Sequence, residues 1–534
     1  MTMNLLDLPP ELIGRILELS TAPDFENLMV TCKAVYACGT SILGSHNNRR
    51  RQWSRFIVLD QDPRESWALV YRNMAHPNVA EYARFADFRA ATLSVLNNNM
   101  GARSYELSAS ALQDLGALVS CMQFLPEAVR ERNYLPYWLD RVAEYPNTYA
   151  SDILWDWSLI LLIIQLKYVT RLTLPSDWLD TRGFMAAAEM GLEDQHKLDL
   201  LTALTIIMRG THKPEADAPL ACCKIIRSLG LDATPTFLSS MSPLLAMKSV
   251  AEFHATGLFG QVENSHQLPS LPYTWPYTDL KSPLQRLELL DCNIDGESLG
   301  ALLAQTPYLR IFRYSHVPEV IPDRPSYWDL VEEAMANPED LDLKELAIEE
   351  YRRSTWNVAA FVDTIAKYCG NQLIELAITF GDRCKKFGIK NPVTNMKDFT
   401  RLEHAELEVA IFGGSDDLPT FTQLESREIN VPKLVEILPS SLKTLQLFDG
   451  FQCEPEAVVA LMRDFAAGRD WLLADLEEIS YRYRDYYERS DPRPYYSAIE
   501  RQADAQGISY SSGPSIQPHW TRAFGKDNGV FNTA

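Results

Sequence analysis

The sequence is poor in most features that would assign it a chemistry. No Asn-x-Ser/Thr sequon occurs, and the first residues, with Asp7, Pro9, Pro10 and Glu11, lack the basic start of a secretory signal. Nine cysteines, an odd number, are scattered from Cys32 to Cys453 without regular spacing, which argues against a disulfide framework and for reduced thiols. Secretion is not expected; the cytoplasm or nucleus is the consistent address. Basic charge is short as well. Against 71 Asp and Glu stand 50 Lys and Arg, a formal net charge of -21, so most of the surface would repel a phosphate backbone and no nucleic-acid partner is expected. The local exception, Arg49-Arg50-Arg51, reads as a solvated helix face. Long apolar runs are missing too. In "DWSLILLIIQLK", Asp156 to Lys167, only about ten apolar residues follow one another where a membrane span needs about 20, so a buried helix and no membrane partner are expected.

Local signatures of catalysis are also absent. The chain holds no Gly-x-x-x-x-Gly-Lys-Ser/Thr, Gly-x-Gly-x-x-Gly, His-Glu-x-x-His or Gly-x-Ser-x-Gly. "FGGSDD" from Phe412 has the glycines of a phosphate loop but no following lysine, and reads as a turn. Cys222 and Cys223 are adjacent, so on a helix they point to different sides; a core cysteine is the simpler reading than a metal ligand. No catalytic residue, cofactor or metal is therefore expected, and an enzyme with a dispersed site is the reading left for that class.

What the chain does have is apolar material in patterns. At 534 residues, 46% hydrophobic and 23% charged, it has the composition of a folded protein of roughly three or four domains or of one elongated array. In "LLDLPPELIGRILELS", Leu5 to Ser20, the prolines suit a first helical turn, and Leu12, Ile13, Ile16, Leu17 and Leu19 recur at spacings of three and four as one broad apolar stripe. A second short helix is expected after Thr21-Ala22-Pro23, with Asp24 as its N-cap and Phe25, Leu28, Met29, Cys32 and Tyr36 as its apolar side; a third turn or helix follows through Ile42 and Leu43. Three short helices are too few to bury all these side chains alone, so an unpartnered apolar face is expected.

These residues resemble an F-box. The match runs through Leu8, Pro9, Glu11, Leu12, Ile16, Leu17, Asp24, Leu28, Cys32 and Lys33, with Phe25 where leucine is usual and Thr31 where valine often stands. The resemblance implies a three-helix unit that docks on the Skp adaptor and, through it, on a cullin scaffold and RING subunit of a ubiquitin ligase. It makes Leu8, Pro9, Leu12, Ile16, Leu17, Leu28 and Cys32 the adaptor-contact candidates. The alternative is that the same residues seal against the chain's own following helices.

Further along, "LQRLELLDCNI", Leu284 to Ile294, reads Leu-x-x-Leu-x-Leu-x-x-Cys-x-Ile, a leucine-rich repeat with cysteine at the position that turns the chain out of its strand. Weaker copies begin at Val169, Leu201, Leu309, Leu343, Leu373, Leu402, Leu442 and Leu476, at steps from 25 (284 to 309) to 40 (402 to 442) in the second half. "LLAMKSVAEFHAT", Leu244 to Thr256, could fill the gap before Leu284. Helical stretches lie between, at Gly296 to Pro307, Trp356 to Cys369 and Pro455 to Gly468. Strand and helix in alternation imply a solenoid with short parallel strands on its concave face. The divergent repeat lengths resemble those of F-box proteins from filamentous fungi.

The expected organisation is thus α/β: an F-box over 1–45, a helical linker over 46–158 in which Asn73 to Arg89 packs the F-box against the rest, an irregular leucine-rich-repeat solenoid over 159–490, and a flexible tail over 491–534. "YRYRDYYERSDPRPYY", Tyr481 to Tyr496, is expected to close the array. The resemblance implies a substrate-recognition subunit, not itself an enzyme, holding an unknown client protein near the ligase. Client contacts are expected at outward strand positions, with Arg171, Arg286, Arg310, Arg313 and Lys443 as candidates and Thr173, Glu288 and Glu375 of the same kind. The rival is a leucine-rich-repeat scaffold without a ligase role.

Overall fold

The computed structural model describes residues 5–57, 80–88, 160, 163–175, 193–213, 218–229, 236–262, 271–317, 356–381, 389–413, 432–449, 461–483, 500, 503–504, 507–515 and 517–528. It divides into two units, Met1–Gly230 with Pro243–Ala251, and Leu231–Ser242 with Glu252–Ala534. Both are mixed α/β with parallel strands, and no helix among the described residues is long and apolar enough to cross a membrane.

The first unit opens with α1 (Pro10–Leu19), α2 (Ala22–Met29) and α3 (Lys33–Trp53). Pro10 stands in the first turn of α1, where its missing N–H leaves no bond unmade. The cap of α2 is not Asp24 but Thr21, whose hydroxyl oxygen accepts from the Asp24 amide (3.4 Å) while its O–H donates to the Asp24 carboxylate (2.7 Å). The spacing is that of a capping box, in which the acidic residue stands three places after the cap, so Asp24 lies inside the helix. α3 runs eight residues past the expected boundary at 45 and ends only at Trp53.

Parallel strands follow: β1 (Arg55–Ile57), β2 (Phe85–Asp87), β3 (Arg171–Pro175) and β4 (Ile225–Leu229), each paired with the next. The region expected as a helical linker therefore contributes strands, and Phe85-Ala86-Asp87 lies within the segment expected to be helical. The Leu201 copy is no strand either: it falls inside α4 (Glu193–Thr211), which buries Ala203, Leu204, Ile207 and Met208 at helical spacing. Leu-x-x-Leu-x-Leu fits a helix face as well as a strand, and only the burial pattern separates them. Of the greasy run, Ile160, Ile163 and Leu166 are buried.

The second unit carries β5 (Glu252–Thr256), β6 (Arg286–Cys292), β7 (Ile311–His316), β8 (Glu375–Phe380), β9 (His404–Glu408), β10 (Thr444–Asp449), β11 (Glu478–Tyr483) and β12 (Ser509–Pro514). Each pairs in parallel with its successor. Of the candidate repeat from Leu244 to Thr256, Glu252–Thr256 is β5, and the copies at Leu284, Leu309, Leu373, Leu402, Leu442 and Leu476 supply β6 to β11. The Leu343 copy lies outside the described residues, and β7 pairs directly with β8.

One sheet face is the core. Leu287 and Leu289, Phe312 and Tyr314, Leu376 and Ile378, Leu445 and Leu447 alternate onto it and are almost wholly buried, each contributing roughly 1.5–3 kcal/mol. On that face lie α5 (Gly296–Leu303) and α6 (Val358–Cys369), where Phe361 meets the rings of Phe312 and Tyr314. α7 (Phe465–Leu472) precedes β11 and buries Phe465. Cys292 acts as the pattern suggested: its buried sulfur accepts from the Leu258 amide (3.2 Å) and donates to the Leu290 carbonyl (3.3 Å), satisfying backbone groups where the chain leaves β6. Burial pushes its thiol well above the usual range.

The tail departs most from expectation. Residues 509–514 form β12, paired to β11 over six positions, and α8 (His519–Asn528) follows with Trp520 and Phe524 buried. The array does not close at Tyr481. An exposed strand edge offers unpaired N–H and C=O groups to any segment that reaches it, and "SYSSGP" takes them without an apolar alternation of its own.

Candidate interaction surfaces

In the first unit, α1 separates what the sequence shows as one stripe. Ile13 and Leu17 turn inward and make a small core with Phe25, Met29 and Val35, against which Leu5, Leu8, Leu28, Cys32, Cys38, Ile42 and Leu43 pack while partly buried. Gly39 of α3 belongs to this core by its lack of a side chain: a Cβ there would collide with the Met29 thioether and press on Leu17. Leu12, Ile16 and Leu19, at i, i+4 and i+7, remain 51%, 37% and 70% exposed. Of the adaptor-contact candidates, then, Leu12, Ile16 and Pro9 face out, Leu8, Leu28 and Cys32 are shared between core and surface, and Leu17 is withdrawn into the core. Leu6, Val30 and Tyr36 are exposed apolar residues the candidate set omits.

The helices are fixed to the segment before β2. Buried His46 of α3 lies 3.0 Å from the Tyr82 hydroxyl through Nδ1 and 3.3 Å from Glu26 through Nε2, with the Phe25 ring 4.3 Å away. Glu81 accepts from the Ala22 amide at 3.2 Å. Burial lowers the His46 pKa, although Glu26 opposes it. Arg50 also reaches Glu26, and Arg49 donates to the Tyr82 hydroxyl, so two members of the arginine run have structural partners.

In the second unit, the sheet face opposite the core carries charge. The register aligns His254, Glu288, Arg313, Ala377, Glu406, Gln446, Ser480 and Ser511 in one row across β5 to β12. Glu288, with its side chain 2% exposed, meets His254 Nδ1 at 2.7 Å, Arg286 at 2.6 Å and Arg313 at 2.8 Å. Arg313 Nε donates to Glu375 at 2.8 Å as well. Burial alone would raise the Glu288 carboxyl; His254, Arg286 and Arg313 outweigh it and hold it at about 2.

The client-contact candidates are dispersed by this arrangement. Arg286 and Arg313 come together but are engaged by their own carboxylates. Arg171 lies in the first unit, its guanidinium 5.2 Å from the centre of the Phe85 ring. Arg310 and Lys443 stand just before β7 and β10, where their carbonyls receive the next strands, and the Lys443 ammonium pairs with Glu403 at 2.8 Å. Cys223 is buried, its thiol pushed up to about 12, while Cys222 is exposed.

Sequence reasoning missed what lies on this face. Trp520 Nε1 donates to the Thr379 hydroxyl at 3.0 Å, and the Trp520 amide donates to the Glu406 carboxylate at 3.0 Å, so a carboxylate on β9 caps the first turn of α8. Phe524, edge-on to Trp520 with ring centres 6.1 Å apart, reaches His254 on β5 at 6.0 Å. α8 thus crosses the strands from β9 towards β5. Burial raises Glu406 to about 7 although the amides of Trp520 and His519 oppose it. The available signal was Pro518 followed by aromatics four residues apart, a short amphipathic helix in a stretch otherwise rich in Gly, Ser and Pro.

Among the described residues no group of three or more His, Cys, Asp or Glu is placed to hold a metal ion. No protein-family model matches the chain, and no curated protein matches it significantly.

Proposed function

We propose that the chain is the substrate-recognition subunit of a Skp-cullin-F-box ubiquitin ligase, with α1 to α3 as the F-box and the strand and helix repeats as the client-bearing part. The observation that carries the reading is the division of α1. A helix whose inner residues already fill a core keeps Leu12, Ile16 and Leu19 in water, a cost that partner burial would remove at roughly 25 cal/mol per Å². These outward positions include two of those at which the sequence resembles an F-box. The subunit performs no bond chemistry in this reading; it holds a client lysine near the conjugating enzyme and raises its effective concentration. His46, Tyr82, Glu26 and Glu81 give the helices a fixed seat, which such positioning needs.

The test is co-purification of the full chain with the Skp adaptor, wild type beside Leu12→Asp/Ile16→Asp, blotted for cullin. Adaptor and cullin retained by wild type and lost from a variant that still melts cooperatively support the reading. Adaptor without cullin leaves the scaffold reading, and neither protein on wild type removes both adaptor-based readings.

A further inference from the structure

The charged face of the second unit already has an occupant of a particular chemistry. α8 covers it with two aromatic rings at i and i+4 and presents the donors of its first turn to Glu406. α8 lies outside the strand ladder: β12 is already paired to β11 over 509–514, and α8 comes after. A ten-residue helix holding Gly525 is well below the length at which isolated helices persist in water, so its helicity derives from the face it lies on. Its seat is also imperfect, because Glu406 lies buried under α8, where the Trp520 amide and the charge of Arg313 only partly offset the cost of its burial.

We propose that α8 is a displaceable intramolecular ligand, and that the surface it covers, from Glu406 and Thr379 to His254, is a docking site for a partner helix with aromatics spaced i, i+4 and a free first-turn N–H for Glu406. The site takes short amphipathic helices in preference to phosphorylated or acidic segments. Arg286 and Arg313, which would attract the latter, are held by Glu288 and Glu375, and Glu406 would repel them. Covalent attachment a few residues after β12 favours α8, with an effective concentration in the millimolar range or above, so a partner must bind well or be tethered in turn. The identity of the occupant as a client rests on the proposed function; the site and its chemistry do not.

The test uses the full chain and a fluorescein-labelled peptide of residues 516–530, read by anisotropy. Trp520→Ala/Phe524→Ala frees the face, and that variant binds the peptide at least about tenfold tighter than wild type, whose own helix competes. Adding Glu406→Ala and Thr379→Val lowers peptide binding again by about tenfold. Hydrogen exchange on wild type shows the 521–528 amides opening at least a hundredfold faster than those of β10 and β11, on the order expected for a local and not a global event. A folded Trp520→Ala/Phe524→Ala variant that ignores the peptide overturns the proposal. So does a variant that fails to fold, or a wild type whose α8 amides exchange only with the sheet, since α8 would then be part of the core. No adaptor is present in any arm, so loss of this site and loss of the ligase reading are told apart.

Discussion

α1 and α8 are both ten-residue helices, both preceded by a proline, and both carry apolar side chains at i, i+4. In α8 the repeating pair, Trp520 and Phe524, is almost wholly buried; in α1 the pair Leu12 and Ile16 is exposed and a second pair, Ile13 and Leu17, is buried instead. The difference lies in what surrounds them. α1 has more apolar residues than its neighbours can cover, so one side is left over, whereas α8 has just enough and finds a surface on its own chain. An amphipathic pattern therefore reports that a face will be covered, but not by what.

The largest expected effect sharpens the contrast within α1. Leu17→Ala removes a buried side chain from a small core and lowers the stability of the helical region by about 3 kcal/mol, while Leu12→Ala, in water already, changes it by less than about 0.5 kcal/mol. Urea unfolding followed by hydrogen exchange of the 33–46 amides distinguishes them, and equal effects would mean that the two sides of α1 are not distinct. Nearly as large is Glu288→Ala, which leaves His254 and Arg313 partly buried without their shared carboxylate and costs about 3 kcal/mol in the second unit, read from urea unfolding and exchange of the β6 and β7 amides.

Glu288 also sets an acid limit. Its carboxyl is held at about 2 in the fold against an ordinary value of 4.5, so its contribution is fully present above pH 4.5 and is lost as pH falls through 2. Denaturation midpoints measured down this range fall more steeply for wild type than for Glu288→Gln, and parallel curves would assign the acid limit to another group. The smallest effect concerns α8. Glu406, facing Arg313, Glu375, His519 and the Trp520 amide, titrates near 7 in the closed state, above its ordinary 4.5, so the docked helix takes up a proton and is weakened as pH rises through 7. From pH 7 to pH 8 the open fraction rises about twofold, read from exchange of the 521–528 amides corrected for intrinsic rates. Below 6.5 His519, kept neutral by burial and by Arg522 and Arg313, works in the opposite direction.

Much of the architecture is legible in the chain. Pro10 marks the start of α1, the alternation of Leu287 and Leu289 with Arg286 and Glu288 marks a strand with one buried face, and Cys292 marks its exit. The failures share a cause. Leu201-x-x-Leu204-x-Ile206 and Leu287-x-Leu289 look alike in sequence because strands of three to seven residues are too short to establish a period against a helix. β1 and β2, three residues each, are shorter still. β12 has no apolar alternation at all; the unpaired edge of β11 makes it a strand.

What the sequence by itself determined is the inventory: leucines in repeating positions, an amphipathic first helix, acidic charge and a tail with Trp520 and Phe524 four residues apart. Only the tertiary structure decided how these are spent. Whether Leu17 faces in while Leu12 and Ile16 face out, whether Arg313 is free or bound to Glu288 and Glu375, and whether Trp520 is loose or capped on Glu406 are settled by contacts between different elements of the chain. Local periodicity fixes which side of an element is apolar, and chain connectivity and competition for that surface fix what it meets.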